Sequence, residues 1–190
     1  MKIDELEKVL ESIDNEIPEI SETDRILSAV IIPFTEIEDE VYLMFIRKTE
    51  DGSPHAGQVS FPGGCREKGE DIKNTALREF EEETGIPKER VRIIGFLKPI
   101  PTRSTPFIIY PFTGIVEDIK DLNPDRKEVF KVFFVPFDFI LENYPFKTVN
   151  YYYKGMTFKT PLIEYEGEVI WGATARILEV LIKEIKERLK

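Results

Sequence analysis

Apolar residues recur along the chain in two periods, and the period changes where the architecture should change. Near the start, Ile3, Leu6, Val9, Leu10 and Ile13 fall at helical spacing and the pattern stops before Pro18. Ile26 to Phe34 is a continuous apolar run broken by Pro33, as expected for a buried strand. Acidic residues from Glu36 to Glu40 mark a turn, and Val41 to Ile46 forms the second arm of a hairpin. Thr49 to Ala56, with Gly52 and Pro54, reads as a loop; Gln58 to Phe61 is a short strand before the turn Pro62-Gly63-Gly64.

From Asp71 to Thr84 the period is helical again, with Ile72, Ala76, Leu77 and Phe80 on one side and Gly85 and Pro87 ending it. Further strands are expected at Val91–Leu97, Phe107–Val116 and Glu128–Val135. Tyr151–Phe158 and Leu162–Tyr165 read as a hairpin turning at Lys154-Gly155, and a last amphipathic helix runs from about Trp171 through Ile177, Leu178, Leu181, Ile182, Ile185 and Leu189. Three helices among mixed strands predict an α+β or α/β sandwich. No linker or repeat divides the chain, so residues 1–190 are expected to form a single domain. Residues 1–20 would be a helical extension and 171–190 the closing helix.

Composition narrows the class. The chain has 190 residues, 42% of them apolar, enough for a packed core. No apolar run approaches the roughly 18–20 residues of a membrane span, so no membrane partner is expected. The start, Met1-Lys2-Ile3-Asp4-Glu5, lacks the pattern of a secretory signal. One cysteine, Cys65, and one histidine, His55, permit neither a disulfide nor a Cys/His zinc centre. The expected compartment is the cytoplasm. A net charge of −10 disfavours nucleic acid, although a metal cation can still bridge an acidic protein to a phosphorylated small molecule.

The helix ending at Thr84 breaks local rules. Glu79, Glu81, Glu82 and Glu83 crowd its last turns, where the helix dipole penalises carboxylates by roughly 0.3–1 kcal/mol each. Glu79 and Glu83 add an i,i+4 like-charge pair. At about 100° per residue Glu79, Glu82 and Glu83 share one arc bordering the Ile72/Ala76 side, so all three are expected to be drawn partly towards the core. Arg78 is the only basic residue between Asn74 and Gly85, so local neutralisation falls short. Carboxylates gathered in reduced dielectric call for a counter-cation, and an all-oxygen set suits Mg²⁺ or Mn²⁺. The competing reading is a solvated acidic face paired with lysines.

The wider arrangement resembles the signature of the Nudix hydrolases. Gly64, Glu70, Arg78, Glu79, apolar Phe80, Glu82, Glu83, Gly85 and apolar Ile86 stand at the spacing that motif requires. The resemblance implies an α/β/α sandwich with a mixed sheet between helices. It also implies divalent-metal-dependent hydrolysis of a nucleoside diphosphate linked to a further group. It makes Arg78, Glu79, Glu82 and Glu83 the catalytic set and Glu79, Glu82 and Glu83 the metal ligands, with a carbonyl of the Gly63-Gly64 turn, assigned to Gly64, completing the sphere. Arg78 would orient Glu79. Glu70 would support the loop or reach a metal through water. The metal would neutralise the diphosphate, lower the pKa of a bound water and align it with phosphorus.

Beyond the signature, Leu43-Met44-Phe45-Ile46-Arg47 followed by His55-Ala56-Gly57 through Gly64 is similar to the coenzyme A diphosphatase branch. Pro99-Ile100-Pro101-Thr102 and Ile170-Trp171-Gly172-Ala173-Thr174-Ala175 match it further. That branch carries a second basic residue between Arg47 and Gly57, where this chain has Gly52, Ser53 and Pro54; Lys48 is the candidate substitute. The implied products are 3′,5′-ADP and (acyl)phosphopantetheine. Rival substrates are ADP-ribose, a nucleoside triphosphate or a dinucleoside polyphosphate, and a non-catalytic nucleotide sensor is the rival class.

Arg47, at a strand end, is expected to bind phosphate, with Gly63 beside it in the substrate-binding set. His55 either contacts substrate phosphate or braces its loop. Arg103 is either solvated or paired with the 3′-phosphate of a coenzyme A-like substrate. Glu128 is either a further metal ligand or base, or simply exposed. Cys65 reads as a spectator. Trp171 and Tyr151-Tyr152-Tyr153 are expected to pack the core or a subunit contact rather than stack on adenine. A homodimer is left open.

Overall fold

A computed structural model of the chain describes residues 1–13, 17, 24–50, 52, 56–103 and 105–189. Helix α1 (Ile3–Glu11) precedes strands β1 (Ile26–Ile37), β2 (Glu40–Lys48), β3 (Val59–Ser60) and β4 (Gly63–Cys65). Helix α2 (Ile72–Thr84) leads through a 3-10 turn, Lys88–Arg90, to β5 (Val91–Phe96), β6 (Ile100–Pro101), β7 (Phe107–Val116) and β8 (Val129–Pro136). Then come α3 (Phe137–Glu142), β9 (Lys147–Tyr153), β10 (Met156–Tyr165), β11 (Glu168–Trp171) and α4 (Gly172–Arg188).

The large sheet is mixed. Its path is β3-β2-β1-β7-β5, with β4 paired to β1, β6 to β7 and β8 to β2. Among the described residues β1 and β7 pair in parallel and the other pairs of this sheet are antiparallel. Strands β11-β10-β9 form a second, antiparallel sheet.

The long apolar run of β1 has its explanation in this layering. Ala29 and Ile31 face a core that includes Ile72, Ala76 and Phe80 of α2. Ile32 and Phe34 face a second core with Leu6 and Leu10 of α1 and Leu178 and Leu181 of α4. Strand β2 divides in the same way, Met44 to the first core and Leu43 and Phe45 to the second. The sheet lies between helices, as the sequence predicts. No helix among the described residues is long and apolar enough to cross a membrane.

Differences are local. The acidic turn shortens to Glu38 and Asp39, both at positive φ, because β1 and β2 pair right up to Ile37 and Glu40. Helix α3 is unpredicted: with only six residues, and just Phe137 and Ile140 buried, it carries too little periodic signal. Strand β10 passes through Pro161 to Tyr165, so the expected second arm is part of one long strand, whose partner there is β11.

Candidate active site

The turn between β3 and α2 is pinned to β1. Val30 pairs with Gly63 and Ala29 with Gly64. A Cβ at Gly63 would collide with the Ala29 carbonyl, and one at Gly64 with the Glu79 carboxylate. Only glycine lets the backbone lie this close to both strand and helix. Asp71 caps α2, its Oδ1 accepting from Lys73 N at 3.0 Å and Asn74 N at 3.2 Å. Gly85, at φ 72°, closes the helix and donates to the Glu81 carbonyl at 2.8 Å.

Arg78 is the hub. Nε and Nη2 grip Glu70 at 2.9 and 3.1 Å. Nη1 donates to Glu79 at 2.8 Å and to Glu82 at 3.0 Å, and Nη2 reaches the Cys65 carbonyl at 3.2 Å. Glu70 also accepts from Thr75 Oγ1 at 2.8 Å and Glu67 N at 3.2 Å. The Arg78 bonds, with those from Thr75 and Glu67, hold its carboxyl well below the usual range, at about 2. Arg78 thus binds Glu79 directly. Glu70 locks the arginine and the loop.

Glu83 has a different counter-charge. Its Oε1 accepts from Lys48 Nζ at 2.6 Å and its Oε2 from Gly63 N at 2.8 Å. The side chain is 1% exposed. Burial outweighs both partners and pushes its pKa up to about 6. Burial raises Glu79 as well, against the pull of Arg78. For Lys48, burial alone would lower the ammonium, but Glu83 together with Glu128 and Glu79 raises it.

Two expectations change here. Glu82 is not drawn inward: 59% exposed, it is held out by Arg78 one helical turn earlier. Nor do Glu79, Glu82 and Glu83 converge on one point; among the described residues no acidic group forms a ready cation cage. Arg78 and Lys48 stand among the carboxylates instead. The neutralisation missing from the helix itself comes from β2, 35 positions upstream.

The donors nevertheless fit a hard divalent cation. They are carboxylate oxygens, and two of them are desolvated beyond what their basic partners offset. One lies directly against the glycine backbone at Gly64.

Other candidates separate. Arg47 lies away from α2, with Nη1 3.5 Å from Glu168 Oε2 and its guanidinium 4.4 Å over the Phe130 ring. Strand alternation is the reason. Arg47 shares the side of Phe45, and the neighbouring Lys48 takes the position facing the acidic helix. Glu128 is exposed, although its charge reaches Lys48. His55 lies outside the described residues.

A cavity of about 770 Å³ opens beside the turn, lined among others by Lys48, Gly63, Gly64, Arg103, Trp171 and Arg176. Its size is that of a small-molecule site. Tyr151 and Trp171 do pack on each other, edge to face at 5.3 Å, but both also line this cavity. Arg176 is a functional candidate that the sequence does not mark, and Lys48, expected only as a substitute for a missing basic residue, is the counter-charge of Glu83. Parity along β2 is the signal that points to Lys48; nothing local marks Arg176.

The family model for the NUDIX domain matches residues 25–153. The chain belongs to the Nudix hydrolases. An uncharacterized Nudix hydrolase NudL of Pectobacterium atrosepticum is 32% identical over 162 residues, covering 85% of this chain and 83% of that protein. Its counterpart in Yersinia enterocolitica is 33% identical over 159 residues, covering 83% and 80%. Among solved structures, the MutT protein of Methanosarcina mazei aligns with TM-score 0.56 at 17% identity, over 89% of this chain and all of that one. The NUDIX domain of Shewanella oneidensis NrtR, solved with ADP ribose, aligns with TM-score 0.55 at 16% identity, over 93% and 95%. These two show a shared fold. As a Nudix hydrolase the protein acts on nucleoside diphosphate derivatives, a class of reaction that generally uses divalent cations.

Proposed function

We propose that this Nudix hydrolase cleaves the diphosphate of coenzyme A and its acyl derivatives, giving 3′,5′-ADP and (acyl)phosphopantetheine, with Mg²⁺ or Mn²⁺ as cofactor. The observation that carries this reading is the continuity of two environments. Gly63 and Gly64, which touch Glu83 and Glu79, line the same cavity as Lys48, Arg103, Trp171 and Arg176. A diphosphate at the turn would leave its nucleoside to an aromatic and cationic cavity.

Glu79 and Glu83, with the Gly64 carbonyl, would hold the cation, and Glu82 would join them only by leaving Arg78. Bound there, it supplies charge neutralisation for the diphosphate and acidifies the attacking water. The chain's own groups do the positioning. Arg78, fixed by Glu70, aims Glu79 and Glu82. The Gly63 amide fixes one oxygen of Glu83. Lys48 keeps Glu83 ionised and lies at the cavity wall, where its ammonium can turn to phosphate oxygens.

The test is a substrate panel with and without Mn²⁺, read by mass spectrometry: coenzyme A, acetyl-coenzyme A, ADP-ribose, diadenosine tetraphosphate and a nucleoside triphosphate. The expected result is 3′,5′-ADP from the two thiol-arm substrates at the highest kcat/KM. Turnover of the others with no 3′,5′-ADP from coenzyme A would overturn the substrate assignment.

A further inference from the structure

Acidic residues outnumber basic ones 36 to 26 in this chain, yet the cavity wall has the opposite composition. Lys48, Arg103, Lys159 and Arg176 line it, and among the described residues no Asp or Glu does. Lys48 is committed to Glu83. Among the described residues the two arginines are not committed to any carboxylate.

Arg103 follows β6, and Arg176 lies on α4. Arg103 Nη1 donates to the Lys159 carbonyl at 2.7 Å, and Arg176 Nη1 donates to the Pro101 carbonyl at 3.0 Å. Each guanidinium is thus aimed by a backbone oxygen that takes one N–H and leaves the charge whole. Among the described residues neither has a carboxylate within ion-pair distance, although the field of Glu179 reaches both. Burial and the charge of Arg103 both disfavour the protonated form of Arg176. Holding two like charges together at a cavity wall is unfavourable without an anion to share, and paired guanidiniums match the geometry of a phosphate. Trp171 and Tyr151 stand in the same wall and offer ring surface for a base.

We propose that Arg103 and Arg176 form a subsite for a phosphate monoester that the substrate carries away from its scissile diphosphate. The pair selects diphosphates bearing a third phosphate. This rests on the coenzyme A reading, in which the ribose 3′-phosphate is that group.

The experiment compares coenzyme A with dephospho-coenzyme A, the same molecule without the 3′-phosphate, on wild type, Arg103→Met and Arg176→Met. Wild type should favour coenzyme A by about 100-fold in kcat/KM, the scale of two charge-assisted contacts. Each variant should lose most of that preference on coenzyme A alone and stay within about twofold of wild type on dephospho-coenzyme A. Equal slowing on both substrates, or no preference in wild type, overturns the subsite.

A binding measurement without metal separates this from the substrate assignment. Fluorescence of Trp171, the single tryptophan, is titrated with 3′,5′-ADP and with 5′-AMP. Tighter binding of 3′,5′-ADP that Arg176→Met abolishes supports the subsite even if coenzyme A is not cleaved. Equal binding of the two nucleotides overturns it.

Discussion

Lys48 Nζ sits 2.6 Å from Glu83 Oε1, an ion pair in which the carboxylate is 1% exposed and the lysine 28%. It ties the end of β2 to the last turn of α2 and supplies charge that the helix lacks. Removing one partner of such a pair leaves a buried charge uncompensated. Lys48→Met should therefore lower the Tm of metal-free protein by about 5 °C or more. Saturating Mn²⁺ should recover part of that loss, because a ligand bound only by the folded state stabilises it. Thermal unfolding with and without the metal checks both statements.

Arg78 satisfies three carboxylates and a carbonyl from one planar group. A lysine cannot reproduce that fork. Arg78→Lys should leave the chain folded and lower kcat about 100-fold, the scale of small misplacements in an active site, with KM changing far less. Steady-state kinetics alongside circular dichroism makes the comparison.

Glu70 gives a pH signature. Its carboxyl is held at about 2 in the folded chain against an ordinary 4.5. A depressed carboxyl stabilises the folded state fully above its unfolded pKa and loses that contribution as pH falls towards the folded value. The gap in unfolding free energy between wild type and Glu70→Gln should be constant above about pH 5 and shrink between pH 4.5 and 2. Urea melts across that range measure it.

Arg47 and Lys131 share Glu168, which is 7% exposed and lies in the second sheet. This clamp joins β2 and β8 to β11. Arg47→Met should lower the denaturant midpoint while leaving KM within about twofold, whereas a phosphate-binding arginine would raise KM at least tenfold.

Much of this was legible from residue order. The long strands of the large sheet, α1, α2 and α4 follow from period and caps, whereas the short β4, β6 and β11 do not; the spacing from Gly64 to Gly85 marks the acidic helix and its Arg78 hub. What escaped was non-local. The pairing of Lys48 with Glu83 depends on which face of β2 meets α2, and a shift of one residue made Arg47 look like the better phosphate ligand. Helical angle alone places Glu82 inward, whereas an i,i+4 arginine draws it out. Trp171 and Tyr151 do pack on each other, but only tertiary structure brings them with Arg103 and Arg176 into one cavity.

The acidic face of α2 as the centre of cation-dependent hydrolysis is tested most directly by Glu83→Gln. The substitution keeps shape and the Gly63 contact but removes the charge. Turnover of the best diphosphate substrate is measured against Mn²⁺ concentration, with Mn²⁺ affinity read separately by calorimetry. The account predicts native circular dichroism, weaker Mn²⁺ binding and a rate at least about 100-fold lower. An unchanged metal-dependent rate, with unchanged Mn²⁺ affinity, would contradict it.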